Sequence, residues 1–233
     1  MNKRILSLVM FMVFCVAATV RAEQVQVALI NPVQLYPEDR VINVFRLDLI
    51  VGVNAGMSGL DLGIVNVTKD KFDGLAIGIV HDVGGNMNGW QIGAGSIAGG
   101  DSMGIQNGLI VSNGGSFSGW QGSGLVSYNG GIFSGVQTSI ANIIGGEGKD
   151  AFDLGAVNYT VGNFRGLELG VYNRAADTEG LQLGGFNSAQ SMNGVQIGAI
   201  NVTDSLSGLQ IGLINYNGKR ESYKFLPIVS ASF

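Results

Sequence analysis

The chain has 233 residues, enough for one domain with a substantial core. Glycine accounts for 38 of them, more than twice its usual share, while charged residues make up only 13%. With 46% apolar residues, 3 prolines and 1 cysteine, the composition excludes a disordered chain, collagen and a disulfide-stapled domain.

The first 22 residues have the pattern of a secretory signal peptide. Lys3 and Arg4 form a basic n-region, residues 5–18 form an apolar h-region, and residues 20–22 end in the small side chain of a cleavage site before Glu23. The apolar run is too short for a membrane-spanning helix. We therefore expect an exported protein cleaved before Glu23, with an uncleaved N-terminal anchor as the alternative.

Removal of this segment would leave an acidic chain. Of the 13 basic residues, Lys3, Arg4 and Arg21 would be lost, which leaves 10 against 17 acidic residues and a net charge of −7. Cys15 would be lost as well, and because it follows the bulky Phe14 we do not expect it to be acylated. The charge argues against nucleic acid as a partner and disfavours anionic membrane surfaces.

Residues 23–58 precede the regular part of the chain. Residues 24–29 alternate between polar and apolar, which predicts a strand, and residues 41–51 predict another after turns at 31–32 and 36–39. We expect these strands to cap the open edge of a repeat array.

Residues 59–215 consist of eleven units of 14–16 residues. Each unit follows the order Gly, apolar, polar, apolar, Gly, apolar, apolar, Asn, numbered here as positions 1 to 8, and variable residues precede the next unit. Periods this regular are typical of solenoids and other repeat architectures. The residues at position 1 are Gly59, Gly74, Gly89, Gly104, Gly119, Gly135, Ala151, Gly166, Gly180, Gly194 and Gly208.

Side chains alternate along a strand, so positions 2, 4 and 6 share one side, and we expect this apolar side to form the core. Trp90 and Trp120 at position 2 are then core residues. Position 3, most often Gln, faces outward, while the apolar residue two before position 1 closes the core from a second, shorter strand. The glycine at position 1 and the asparagine at position 8 bracket the strand, at turns where positive φ is tolerated.

We predict an all-β fold, a parallel β-solenoid of about eleven coils with N- and C-terminal capping strands. In-register stacking places like residues over like, so that the amides form ladders along the axis. Consecutive coils rise about 4.8 Å, which gives a rod on the order of 50 Å long. The predicted structural ladder residues are Gln182, Gln196, Gln210, Asn187, Asn201 and Asn215.

An antiparallel outer-membrane β-barrel is the alternative. The signal peptide and the terminal Phe233 favour it. Against it, the connections do not alternate between two kinds, the apolar segments are shorter than the roughly 9–11 residues of a spanning strand, and Tyr and Trp do not form two girdles.

Two segments depart from the regular pattern. In residues 104–150 the spacing lengthens to 16, and Val111 and Val126 replace the asparagine. We interpret this stretch as degenerate repeats, with a bend or a binding surface as the alternative. Residues 216–233 begin with a turn and continue as an apolar segment that contains Pro227, which is typical of an edge strand that caps a stack.

We expect no catalytic, cofactor or metal site, and therefore no enzymatic activity. His81, the only histidine, occupies position 8 and is predicted to be a turn residue. Asp61, Asp153 and Glu168 occupy position 3, and the last two fall in neighbouring units. Paired carboxylates can serve a glycosidase, but an outward-facing column is more simply a solvated face.

The unit at residues 208–215, Gly-Leu-Gln-Ile-Gly-Leu-Ile-Asn, resembles that of the bacterial surface-repeat proteins, a family of glycine-rich short-repeat proteins of the cell envelope. Residues 31–35 and 225–228 also resemble its members. The Gln-x-Gly-x-x-Asn pattern at residues 210–215 is more weakly similar to curli subunits. The resemblance implies a secreted or cell-envelope protein with no assigned enzymatic activity, and it supplies no catalytic residues.

These observations predict an exported, non-enzymatic scaffold or adhesion and binding module in the periplasm, in the outer membrane or at the cell surface. Its partner would be an unidentified envelope or extracellular molecule. Outer-membrane association, a barrel with a transport or structural role, and self-association into fibres remain as alternatives.

Overall fold

The computed structural model describes residues 24–233, so the predicted signal peptide and Cys15 lie outside the described residues. The described part is built from β-strands joined by short turns. The strands are β1 (Val25–Ile30), β2 (Val33–Gln34), β3 (Val41–Asn54), β4 (Gly56–Thr68), β5 (Phe72–Val83), β6 (Met87–Ile92), β7 (Gly95–Ala98), β8 (Ser102–Asn113), β9 (Phe117–Asn129), β10 (Phe133–Thr138), β11 (Ala141–Ile144), β12 (Gly148–Leu154), β13 (Val157–Thr160), β14 (Phe164–Arg174), β15 (Asp177–Asn217) and β16 (Phe225–Ser232).

Successive coils stack in parallel and in register. Gly59 pairs with Gly74 and Gly74 with Gly89, and further along the stack Gly166 pairs with Gly180. The repeat period therefore places each position over the same position of the previous coil. This confirms the parallel β-solenoid, and the alternative of an antiparallel barrel is wrong for this chain.

Strands outside the eleven units cover both ends of the stack. β3 pairs in parallel with β4, with Phe45 opposite Leu60 and Arg46 opposite Asp61, so this part of the predicted cap is a further coil. β1 continues the stack in parallel with β3, and the short β2 pairs antiparallel with β1. At the other end, β16 runs antiparallel along the last coil.

The side of the strand that faces the interior is the opposite of the predicted one. Positions 3, 8 and 10 and the residue two before position 1 are buried in almost every unit, and Lys149 before Ala151 is an exposed exception. Positions 2, 4, 6 and 7 face outward, and Trp90 and Trp120 at position 2 are 42% and 44% exposed. The prediction of a core at positions 2, 4 and 6 is therefore wrong, because alternation fixes which residues share a side but not which side faces inward.

The apolar residue two before position 1 does belong to the core, as predicted. It lies on the same strand as positions 2 to 4 rather than on a second, shorter strand. In-register stacking brings these side chains together along the axis, and the rings of Phe117 and Phe133 stack with centroids 5.8 Å apart. The buried apolar residues of this column are Met57, Phe72, Met87, Phe117, Phe133, Phe164, Met192 and Leu206.

A corner at positions 5 and 6 divides each coil into two faces. Positions 2 to 4 lie on the first face and positions 7 to 10 on the second, and both alternate between inward and outward side chains. Positions 6 and 7 are consecutive and both face outward, which marks the bend. The return turn after position 10 lies at the opposite edge of the coil.

The two glycines of the unit have different physical roles. The ten glycines at position 1 have positive φ, from 111° to 147°, which only glycine adopts readily. A Cβ on Gly104 would overlap the carbonyl oxygen of Gly89 in the previous coil. A Cβ at position 5 would meet the previous coil as well as the amides: on Gly170 it would lie 2.6 Å from the carbonyl oxygen of Gly155 and 2.8 Å from side-chain atoms of Asn158 and Asn173.

One register detail in residues 104–150 differs from the sequence alignment of the units. Val126 pairs with Ile110, whereas Ser127 pairs with Val111 and takes the buried place at position 8. The additional residue of this unit is absorbed at the corner, where the pairing register shifts.

We expect Gly104→Ala to destabilise the protein by about 2–4 kcal/mol, because the substitution places a side chain at a positive φ and against the carbonyl of the preceding coil. Thermal unfolding followed by circular dichroism measures the effect. Gly95→Ala is the matched control: the atoms nearest to the added Cβ lie 3.8 Å away on Val80, so we expect a change within about 0.5 kcal/mol. Equal losses in the two variants would contradict the steric explanation.

Candidate functional site: buried ladders and an apolar edge

The glutamines at position 3 form a hydrogen-bonded ladder inside the solenoid. Where glutamines follow one another, Nε2 donates to the Oε1 of the glutamine one coil earlier, as from Gln106 to Gln91 at 3.0 Å, from Gln196 to Gln182 at 2.7 Å and from Gln210 to Gln196 at 2.8 Å. These side chains are fully buried. Amide donors meet amide acceptors, which offsets the cost of removing them from water.

The asparagines at position 8 form a second ladder of opposite direction. Nδ2 of Asn187 donates to Oδ1 of Asn201 one coil later, and Asn201 donates to Asn215, each at 2.8 Å. The same Nδ2 groups also donate to the position-4 carbonyl of the following coil, Asn187 to Ile197 and Asn201 to Ile211, each at 2.9 Å. These are buried interior residues, so the prediction that the asparagine is a turn residue is wrong.

The six predicted ladder residues therefore lie in two interior columns rather than on a solvent-facing surface. Three belong to the glutamine ladder, which donates toward the N-terminal end of the stack. The other three belong to the asparagine ladder, which donates toward the C-terminal end. The side-chain dipoles of the two columns consequently oppose each other.

His81 takes the place of an asparagine in the second ladder. It is buried, so the prediction of a turn residue is wrong here as well. Its Nδ1 lies 3.2 Å from Nδ2 of Asn66, and its Nε2 lies 2.8 Å from the carbonyl oxygen of Ile92 at position 4 of the next coil. Burial lowers the pKa of His81, and a neutral ring with its proton on Nε2 would accept from Asn66 in the previous coil and donate to the position-4 carbonyl, as an asparagine does.

Asp153 and Glu168 interrupt the glutamine ladder. They lie opposite each other in neighbouring coils and are fully buried, so the prediction of a solvated face is wrong. Gln182 donates to Oε2 of Glu168 at 2.6 Å. Within residues 24–233, no hydrogen-bond partner contacts Oε1 of Glu168, either carboxyl oxygen of Asp153, or Oε1 of Gln137 on the far side of Asp153.

Two protons would restore the ladder across this pair. Burial raises the pKa of Glu168 from 4.5 to about 7, and burial together with the charge of Glu168 raises the pKa of Asp153 well above its ordinary range. A protonated carboxyl donates one hydrogen bond, so Glu168 can donate toward Asp153, and Asp153 toward Gln137. The donors then point the same way as in the rest of the column. Sealed inside the solenoid, the pair does not meet a substrate as glycosidase carboxyls do.

A cluster of buried charged residues lies at the N-terminal start of the glutamine column, at position 3. Arg46 donates to the two carboxyl oxygens of Asp61 at 2.8 and 2.6 Å, to the carbonyl of Val67 at 2.9 Å and to the hydroxyl of Thr68 at 3.1 Å. Asp48 lies 3.2 Å from Nε of Arg46. Burial raises the pKa of Asp48 to about 7, against the opposing effect of the Arg46 charge. Since the three charged groups are buried, the cluster links the first coils rather than facing a ligand.

Sequence reasoning missed Arg46 and Asp48. The available signal was a spacing of 15 residues from Arg46 to Asp61, the same as between the following units. It was hidden because Val44 stands where the later units have glycine.

The outer surface of the corner forms an apolar edge, defined as positions 4, 6 and 7 of the eleven units, which is interrupted at position 4 by Asn107, Gly122 and Thr138. These positions contain no Asp, Glu, Lys or Arg in any unit. Nine of the eleven units contribute large exposed side chains to the edge, and the units that begin at Gly89 and Gly194 contribute smaller or half-buried ones. The large exposed members of the edge are Ile64, Ile77, Ile79, Leu109, Ile110, Leu125, Ile140, Leu154, Val157, Val171, Leu183, Ile211, Leu213 and Ile214.

Charge is concentrated at the other side of each coil, on the polar edge. We define it as the return turns after position 10 together with the residues just before each position 1. It is rich in glycine, amides and hydroxyls as well as charge. Its charged residues are Lys69, Asp70, Lys71, Asp73, Asp101, Glu147, Lys149, Asp150, Arg165, Asp177, Glu179, Asp204 and Lys219.

Comparison of the chain with models of protein families, with curated proteins and with solved structures gives no match. The resemblance to the surface-repeat proteins stays a prediction. Within residues 24–233, no helix is long and apolar enough to cross a membrane. In the same part of the chain, no group of three or more His, Cys, Asp or Glu side chains is placed to hold a metal ion.

We expect Glu168→Gln to stabilise the protein at about pH 8 but not at about pH 4. In the unfolded chain the carboxyl titrates near 4.5 and in the folded chain near 7, so the folded state binds the proton more tightly and stability falls as the pH rises between these values. A shift of this size corresponds to about 3 kcal/mol, and the amide removes this cost while keeping a donor toward Asp153. Urea unfolding across this pH range measures it.

Glu179→Gln is the matched control for this substitution. This substitution makes the same chemical change on the exposed polar edge, so we expect it to change the free energy of unfolding by less than about 0.5 kcal/mol at every pH. A Glu168→Gln variant that is destabilised to the same degree at both ends of the pH range would contradict the proposed protonation.

We expect Gln196→Met to cost about 1–3 kcal/mol of stability, because it removes the donor to Gln182 and leaves a buried acceptor without a partner. Chemical unfolding measures the loss. Gln190→Met, at an exposed site, is the control and should change stability by less than about 0.5 kcal/mol. Similar values for the two variants would show that the ladder contributes little.

Proposed function

We propose that the chain is an exported, non-enzymatic protein of the cell envelope that acts as a scaffold or binding module. The observation that carries the proposal is the apolar edge, which is free of charge and has large exposed apolar side chains in nine of the eleven units. Soluble proteins rarely expose large contiguous apolar surfaces, and those that they do expose mark interaction sites. The regular spacing of the coils gives this surface a repetitive form along the axis of the stack.

The placement of the titratable groups supports binding rather than catalysis. Asp48, Asp153 and Glu168 have raised pKa values, and His81 has a lowered one, but all four are buried and belong to the interior columns. A general acid, a base or a nucleophile has to reach its substrate. The shifts follow from the structural roles of these groups in the ladders.

The sequence supports the envelope as the place of action. Residues 1–22 have the n-region, h-region and cleavage site of an exported precursor. The resemblance of the repeat unit to the surface-repeat proteins points in the same direction. Both observations concern only the location of the protein. The kind of partner has to be inferred from its exposed surface.

We expect the exported protein to begin at Glu23, which intact-mass analysis of the protein from the envelope fraction measures. Ala22→Leu removes the small residue before the cleavage site and should leave the precursor uncleaved. Ala18→Leu makes the same change away from that site and should be processed normally. A chain that retains residues 1–22 and stays in the cytoplasm would contradict the proposal.

A further inference from the structure

We propose that the apolar edge inserts into the surface of a lipid layer, so that the solenoid lies along a membrane with its polar edge in water. The inference deepens the proposed function, on which it rests for the location of the protein, by naming a lipid surface as the partner. Four features of the described residues lead to it: the shape of the edge, its charge distribution, its border residues and the state of its backbone.

The shape of the edge favours a fluid partner over a second copy of the chain. The apolar positions continue from position 4 on the first face, around the corner, to position 7 on the second face. The edge is therefore convex. A flat face of another solenoid would cover one side of it, whereas acyl chains can surround both.

The charge distribution matches the polarity profile of a lipid surface. No charged residue occurs at positions 4, 6 and 7, and the exposed charged residues of the coils are concentrated on the polar edge, with Asp82 and Arg174 at the border position 9 as exceptions. Positions 4 and 6 are two residues apart, about 7 Å along the strand, which is within the 5–10 Å to which apolar faces sink at membrane surfaces.

Aromatic residues with a polar group mark the borders of the apolar edge. Trp90 and Trp120 lie at position 2, between the apolar position 4 and the polar edge. On the other face, Tyr128, Tyr159 and Tyr216 lie at position 9, between the apolar position 7 and the return turn. Tyrosine and tryptophan prefer the level of the lipid headgroups, because one end of the side chain is apolar and the other forms hydrogen bonds.

The backbone carbonyls at the border of the corner already accept hydrogen bonds from within the protein, as contact with hydrocarbon requires. Hydrocarbon offers no hydrogen bonds, so exposed backbone groups must be satisfied by the protein. The carbonyl at position 4 accepts a hydrogen bond from inside the solenoid, as at Leu169 from Asn158, at Leu183 from Asn173 and at Ile92 from His81. The asparagine ladder thus satisfies the carbonyls that border the edge.

Vesicle flotation of the purified full-length chain tests the inference, with vesicles of zwitterionic phosphatidylcholine as the probe. The triple variant Ile79→Lys, Val171→Lys and Leu213→Lys puts charge on the apolar edge at residues that are 54–75% exposed. We expect it to reduce binding by at least about tenfold, because each lysine opposes insertion. Neutral lipid prevents the added lysines from strengthening binding by charge attraction.

The matched control carries the same three charges on the other side of the solenoid. Met103→Lys, Ile132→Lys and Val161→Lys replace apolar residues that are 40–60% exposed in or beside the return turns. We expect this variant to bind like the wild type. Both variants keep the same N-terminal segment, so a contribution from residues 1–22 cancels in the comparison, and circular dichroism checks that both retain the fold.

Tryptophan fluorescence reports the depth of insertion. Trp90 and Trp120 are the only tryptophans, and both lie at the border of the edge. Phosphatidylcholine brominated near the headgroup end of the acyl chain should quench them more strongly than lipid brominated near the methyl end. Absence of quenching, or stronger quenching by the deeper bromines, would overturn the proposed orientation.

Several outcomes would overturn the lipid assignment. These are a wild-type chain that does not float with the vesicles, an edge variant that binds as well as the wild type, and equal losses in both variants. If light scattering without lipid shows an oligomer that only the edge variant dissociates, the edge is an interface between copies of the chain. The vesicle assay uses purified protein, so its failure leaves export and processing at Glu23 intact, and failure of export leaves the vesicle result intact.

Discussion

Parallel, in-register stacking is the constraint on which the rest of this structure depends. It places every side chain directly over the same position of the neighbouring coil, so each column must be compatible with itself. Amides satisfy this condition by donating to one another, as Gln196 does to Gln182 and Asn187 to Asn201. Aromatic rings satisfy it by stacking, as Phe117 does with Phe133. Carboxylates do not, because burial disfavours their charge: it raises the pKa of Glu168 to about 7, and burial together with the charge of Glu168 raises the pKa of Asp153 well above its ordinary range.

Polar and apolar residues are arranged in opposite ways inside and outside each coil. The interior is lined by amides next to the apolar edge and by Phe, Met and small residues next to the polar edge. Amide ladders gain from this arrangement, since water does not compete for the donors and hydrogen bonds are stronger in a medium of low dielectric constant. The apolar side chains at positions 4, 6 and 7 remain exposed as a consequence. The burial of the amides therefore both stabilises the coil and leaves its outer surface apolar.

The sequence was sufficient to predict the architecture but not to predict which side of each strand faces inward. The spacing of the glycines at position 1 predicted the stacking register, and the structure places Gly59, Gly74 and Gly89 opposite one another. Hydrophobicity then gave the wrong core, since it assumes that the apolar side faces inward. The choice depends on bonds between coils, which the composition of one coil does not reveal. The same limit applies to His81 and to the acids, whose roles follow from their neighbours along the axis. Arg46 was missed because a valine replaces the glycine of its coil.

The asparagine at position 8 connects the interior of the fold with its outer surface. One donor of its amide continues the ladder and the other reaches the carbonyl at position 4, where the apolar edge begins. Glycine is favoured at position 5 because a Cβ there would meet the carbonyl of the preceding coil and the asparagine side chains, as at Gly170. The pattern Gly-x-x-Asn therefore produces a corner whose bordering carbonyls are hydrogen-bonded from within and whose outer side is uncharged and mostly apolar. An edge of this kind gains nothing from contact with water, which is why we assign it to contact with lipid.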